Sequence, residues 1–105
     1  NLIQRCLNNL IDNALKFANN VKIKQHKIKK NILIFVEDDG PGIPFSEYDN
    51  VFKPFYKIDK SRGQSKSSVG LGLSISSDII RSHGGNIELG ESKMGGLIIK
   101  ISLPV

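Results

Sequence analysis

The sequence predicts an α+β fold, a two-layer sandwich with helices on one face of a mixed, mainly antiparallel β-sheet. Three observations predict it. Apolar residues recur at helical spacing over residues 1–18 and again over 70–83. Two further stretches, 21–37 and 86–103, each break once at a tight turn and read as hairpins. The order is helix, hairpin, loop, helix, hairpin, so helices and strands are segregated rather than interleaved as in a parallel sheet. At 105 residues this is one small domain. A chain of this size buries only about two-thirds of its unfolded surface, so its core is thin.

Each element has a local cause. In the first helix Leu2, Ile3, Cys6, Leu7, Leu10, Ile11 and Ala14 form one stripe, and Asn19-Asn20 break it. Val21 to Ile28 alternates, with Val21, Ile23 and Gln25 on one face and Lys22, Lys24 and His26 on the other. Lys29-Lys30-Asn31 turns, and Ile32 to Glu37 is a continuous apolar run suited to a buried strand. Asp38-Asp39-Gly40-Pro41-Gly42-Ile43-Pro44 is turn chemistry. Ser46 is placed to cap a short helix reaching Phe52. Lys53 to Ser68 reads as a long loop, of the kind that usually carries function in a compact domain. Gly70 to His83 reads as the second helix, with Leu71, Ile75 and Ile79 stacked four apart, and Gly84-Gly85 stops it. Asn86 to Glu91 and Leu97 to Leu103 pair around Met94-Gly95-Gly96.

Composition excludes several classes. A hydrophobic share of 39% with 24% charged residues is ordinary for a globular protein, not a disordered one. No stretch approaches the ~20 apolar residues of a membrane span. One cysteine, Cys6, cannot make an internal disulfide or a thiolate-rich metal site, and reads as a small buried hydrophobe. The net charge of +5 suits an anionic partner, or solubility alone.

Several positions carry candidate chemistry. Asn9, Asn13 and Lys16 project together from the first helix. Asn is a poor helix former, so a face meant only for solubility would more readily use Glu, Lys or Arg. A carboxamide oxygen beside a lysine suits a hard cation and a phosphate. Asp38, at a strand end, can accept a hydrogen bond from an amino group, and Gly40 and Gly42 would let a flat ring approach the backbone. Gly70-Leu71-Gly72-Leu73 opens a helix, where backbone N–H groups bind phosphate. Taken singly, each has a plain alternative: a polar stripe, a tight turn, a permissive helix start. Lys53-Pro54-Phe55-Tyr56 reads more readily as packing than as contact.

The ordered set of motifs resembles the ATP-binding catalytic domain of sensor histidine kinases, in the superfamily shared with gyrase B, MutL and the heat-shock chaperone of about ninety kilodaltons. Asn9-Leu10-Ile11-Asp12-Asn13-Ala14-Leu15-Lys16-Phe17 looks like the N box, and Asp38-Asp39-Gly40-Pro41-Gly42-Ile43 like the first glycine box. Phe52-Lys53-Pro54-Phe55 looks like the F box, and Gly70-Leu71-Gly72-Leu73 like the second glycine box. Gly95-Gly96 and Leu103-Pro104 fit the last hairpin, and the tail loosely resembles osmosensing kinases.

The resemblance implies roles. Asn13 would hold Mg²⁺, with Asn9 lining the metal and phosphate region. Lys16 would contact phosphate, and Phe17 would pack on adenine. Asp38 would accept from the adenine amino group, with Gly42 beneath the ring and Gly40, Ile43 and Phe55 alongside. Residues 57–68 would form an ATP lid in which Lys57, Lys60 and Arg62 meet phosphate. Gly70 and Gly72 would cradle the phosphates, flanked by Ser68 and Val69, and Leu71 and Leu73 would pack in the core or the pocket wall. Ser68 stands where the family often has Gly and still offers its backbone N–H.

The resemblance also separates enzyme classes. Hydrolysing relatives carry a Glu one turn before the metal-binding Asn. Here that position is Asn9, which cannot take a proton. Phosphoryl transfer to a protein histidine is therefore expected rather than water activation. Neither His26 nor His83 is followed by the family's phosphoacceptor pattern, so the acceptor is expected on a separate dimerisation domain of a homodimeric parent, with a response regulator downstream. The chain starts at the Asn-rich helix, and a fragment lacking the family's first strand is expected. The parent is expected in the inner membrane, with this domain cytoplasmic. The alternatives are a nucleotide-binding regulator without transferase activity and a basic nucleic-acid-binding module. Lys22, Lys24, Lys27, Lys29 and Lys30 favour the second, but only Phe35 could stack on bases there, and lysines also blunt a strand edge.

Overall fold

The computed structural model describes residues 2–53 and 69–104. Helix α1 spans Leu2–Phe17, and strands β1 (Val21–Ile28) and β2 (Asn31–Asp38) follow. Two single turns of 3₁₀ helix, Phe45–Glu47 and Asn50–Phe52, lead to the undescribed segment. Helix α2 spans Val69–Ser82, and β3 (Asn86–Glu91) and β4 (Leu97–Pro104) close the chain. The sheet order is β1-β2-β4-β3, and every pairing is antiparallel, so the expected mixed character is absent among the described residues.

Register sorts the side chains. Opposite one another lie Ile34 and Ile101, Val36 and Ile99, Ile32 and Leu103, and Ile87 and Leu89 stand opposite Ile101 and Ile99. These residues form the core face with Cys6 and Leu10 of α1 and Leu73 and Ile80 of α2. Strand β2 is therefore not buried on both faces, as its apolar run predicts. Ile34, Val36 and Asp38 are buried, while Leu33 and Phe35 on the other face are half-buried. Strand β1 is an edge. Only Val21 is half-buried, and Ile23, on the same face, is 51% exposed. Its lysines are all exposed, as expected of a solvated edge.

Two expectations fail for physical reasons. Ser46 caps nothing: the first 3₁₀ turn starts after Pro44 without a side-chain cap, and the short helix is two turns instead of one. Ile75 is 59% exposed. The buried stripe of α2 is Leu73, Ser76, Ser77 and Ile80, at i, i+3, i+4 and i+7. Small serines let α2 lie close to α1, where the Cys6 thiol lies 3.7 Å from the Ser76 carbonyl, and this turns Ile75 to solvent. Cys6 is fully buried, as expected, and burial pushes its thiol pKa up. Gly84-Gly85 does end α2: the Gly84 N–H bonds the Arg81 carbonyl at 3.0 Å and the Gly85 N–H that of Ile80 at 2.9 Å.

Candidate functional site

The site forms where the ends of α1, β2 and β4 converge. Asp38 is the last residue of β2 and continues the core-facing row of Ile34 and Val36, so its carboxylate is buried, at 8% exposure. A buried carboxylate needs donors. Oδ1 accepts from the Gly40 N–H at 3.0 Å and the Leu97 N–H at 3.1 Å. Its carbonyl accepts from the Gly96 N–H at 3.1 Å. Oδ2 makes no hydrogen bond among the described residues.

Glycine is required at two places here. Gly42 has φ +72°, the left-handed region, and its backbone faces that of Gly96. A Cβ on Gly96 would collide with Asp38 Oδ1, and would sit 2.6 Å from the Asp38 carbonyl and 2.7 Å from the Gly40 nitrogen. The 92–96 turn is tied down in turn. The Ser92 hydroxyl donates to Glu37 Oε1 at 2.8 Å and accepts from the Met94 N–H at 3.0 Å.

The α1 side is open. Asn9 and Lys16 are exposed and Asn13 is half-buried, on a helix seated by Cys6, Leu10 and Ala14. Asp39 ties this helix to β2. Its Oδ1 accepts from the Asn19 and Asn20 N–H groups, both at 2.9 Å, and its Oδ2 from the Asn20 amide at 2.9 Å. These bonds hold the Asp39 carboxyl below the usual carboxylate range, the Asn20 backbone contributing most.

Of the other expected site residues, Ile43 and Leu73 are buried in the core. Gly42 and Ile43 also line an open groove of about 460 Å³ with Tyr48 and Gly96, which Asn9, Asn13 and Lys16 do not border. Helix α2 begins at Val69, so the N–H groups of its first turn, through Gly70 and Gly72, have no partner within the helix. The side-chain roles of Phe17, Val69 and Leu71 lie outside the described side chains, and Phe55, Lys57, Lys60, Arg62, Ser68 and the 57–68 lid lie outside the described residues. Among the described residues no three His, Cys, Asp or Glu side chains cluster as a metal cage. A single carboxamide at Asn13 fits Mg²⁺, which keeps water and takes phosphate oxygens as its other ligands. Sequence reading missed Asp39, Ser92, Glu37 and the Leu97 N–H. Only the adjacency of Asp39 to Asp38 and the Gly95-Gly96 pair hint at them.

All 105 residues match the family described as histidine kinase-, DNA gyrase B-, and HSP90-like ATPase. The chain belongs to this family. It is 35% identical over 102 residues to the sensor histidine kinase GtrS of Pseudomonas aeruginosa, matching 97% of the chain and 21% of that protein. It is 34% identical over 106 residues to the sensor histidine kinase CpxA of Escherichia coli K12, matching 100% of the chain and 23% of that protein. The chain thus spans about a fifth of the length of these relatives. Among solved structures, a nucleotide-free catalytic domain of the histidine kinase ThkA superposes with a TM-score of 0.81 at 29% identity, covering 97% of this chain and 66% of that one. The histidine kinase domain of the E. coli osmosensor EnvZ gives 0.68 at 38% identity, covering 98% and 63%, which is consistent with the osmosensor resemblance. The α+β architecture is that of histidine kinase ATP-binding domains. No helix among the described residues is long and apolar enough to cross a membrane.

Proposed function

We propose that this chain binds Mg-ATP and supplies the γ-phosphoryl group to a histidine on a separate dimerisation domain of a two-component sensor kinase. One observation carries the reading: the buried Asp38 carboxylate, with Oδ1 fixed by two backbone N–H groups and Oδ2 free to accept. Such an acceptor discriminates strongly for a ligand with a matching amino group, here that of adenine. Gly42 lets the ring approach the backbone, with Gly40, Ile43, Phe17 and Phe55 around it. Asn13 would hold Mg²⁺ through its carboxamide oxygen, where the ion would supply charge neutralisation of the phosphates. Asn9 lines that region without acting as a base. Lys16, Lys57, Lys60 and Arg62 meet phosphate, and the α2 N-terminus from Val69 to Gly72, which Ser68 precedes in the sequence, cradles it. Catalysis in such a site is positioning plus charge neutralisation.

Neither His26 nor His83 is followed by the phosphoacceptor pattern. His26 packs edge-on against Phe35, with ring centroids 6.0 Å apart, and His83 Nδ1 lies 2.8 Å from the Ile79 carbonyl at the end of α2. We infer an acceptor on another domain of the parent, itself a homodimer in the inner membrane acting on a response regulator. Residues 57–68 serve as the lid of a catalytic unit covering 1–105.

Titration with Mg-ATP tests the site. Asp38→Ala should abolish binding, and Asn13→Ala should remove its Mg²⁺ dependence. Unchanged binding in both variants would refute the assignment. Adding a matching histidine-bearing domain in trans should yield acid-labile phosphate on that domain.

A further inference from the structure

Asp38 and Asp39 are neighbours with separate attachments. Asp38 is built into the sheet and the β3–β4 turn. Among the described residues Asp39 bonds to the Asn19-Asn20 connection between α1 and β1, through three carboxylate bonds and an N–H donated to the Asn20 carbonyl at 3.3 Å. The last turn of α1 has little else to fix it. Beyond Ala14 no described side chain of the helix is buried: Leu15 is 53% exposed and Lys16 is exposed. Apolar packing thus seats the helix through Ala14, one residue past Asn13, and Asp39 fastens the chain just beyond Lys16.

We infer that Asp39 is a positioning residue that fixes the spacing between the adenine acceptor Asp38 and the metal- and phosphate-binding face of α1. It does this through Asn19 and Asn20, without touching the nucleotide. The inference rests on the Mg-ATP reading above. An adenine nucleotide engages both ends of this span at once, so a shift of about 1 Å between them costs affinity for the whole ligand. Adenosine engages only the Asp38 end. Loss of the clamp should therefore be felt by Mg-ATP and not by adenosine.

The test is a pair of titrations, with Mg-ATP and with adenosine, on the wild-type chain and on Asp39→Ala, Asp39→Asn and Asn20→Ala. In Asp39→Ala, Mg-ATP affinity should fall roughly tenfold or more while adenosine affinity stays within about twofold. Asp39→Asn should restore most of the difference, because its carboxamide oxygen still accepts both backbone N–H groups. A folded Asp39→Ala with the wild-type ratio of the two affinities overturns the inference. Should that variant not fold, Asn20→Ala carries the test. It removes only the side-chain bond, and the ratio should drop about threefold; an unchanged ratio again overturns the inference. A merely stabilising Asp39 would lower the melting temperature and leave the ratio unmoved. Asp38→Ala separates the two levels: adenosine binding that survives it refutes the nucleotide reading itself, whatever Asp39 does.

Discussion

Replacing Gly96 with alanine should damage both stability and the site, by a route that its neighbour Gly95 does not share. The added Cβ would collide with Asp38 Oδ1 and lie 2.6 Å from the Asp38 carbonyl and 2.7 Å from the Gly40 nitrogen. Two of these atoms are backbone, and the third is pinned by two hydrogen bonds, so the turn must move away from β2. That motion breaks the Gly96 N–H bond to the Asp38 carbonyl and the Leu97 N–H bond to its carboxylate. A neutral bond is worth about 1 kcal/mol and one to a charged group about 1.5–3, so the loss is about 3 kcal/mol. For a domain of this size that lowers the melting temperature by roughly 10–20 °C. In the folded fraction, an Asp38 carboxylate released from Leu97 should bind adenosine roughly 10- to 100-fold more weakly. Gly95 is the control. It has φ +105° but nothing within 4 Å of a Cβ. Gly95→Ala should cost about 1–3 kcal/mol of backbone strain but leave adenosine affinity intact. Thermal melts and adenosine titration of the two variants decide the matter. A Gly96→Ala chain that melts and binds like wild type would refute the reasoning.

Three further outcomes are expected. Ile80→Ala should cost about 2–5 kcal/mol and Ile75→Ala less than about 0.5, since Ile80 is fully buried and Ile75 faces solvent; denaturant melts read both. Lys29 sits at φ +54° in the first hairpin, so Lys29→Gly should raise stability by up to about 1 kcal/mol, seen as a melting temperature a few degrees higher. The buried Cys6 thiol has its pKa raised on folding. Its contribution is therefore complete below the unfolded thiol pKa of about 8.5 and is lost as pH rises toward the folded value. Wild-type stability should fall above that pH relative to Cys6→Ala, and be parallel to it below.

The sequence made the elements legible because each has a short-range cause: a 3.6-residue stripe, a turn, a glycine pair. Helix α1 and both hairpins differ from expectation by at most one residue at any end. The facing of α2 was legible in part. Of Leu71, Ile75 and Ile79, Ile79 packs against the core and Ile75 faces solvent, while the Leu71 side chain lies outside the described side chains. The contact of Ser76 with Cys6, 70 residues apart in sequence, is a long-range fact that no local pattern reports. Asp38 was legible as an acceptor from its place at a strand end. Its partners were not, because Leu97 lies 59 residues away and donates through its backbone, which no side-chain pattern reports. The clamp at Asp39 was hidden for the same reason, since two of its three donors are main-chain groups.

The alternation of β2 has a consequence for how this chain tolerates insertion and deletion. Asp38 occupies the same parity as Ile34 and Val36, two and four residues upstream. Removing or adding one residue between Val36 and Asp38 would swing the carboxylate to the lysine-bearing outer face while the hydrophobic row stayed in place. The strand thus acts as a ruler whose divisions are the core residues. A length change there would leave a chain that still buries its aliphatic layer but has lost the ligand acceptor, so in this segment mutations that change length should abolish nucleotide binding before they abolish folding.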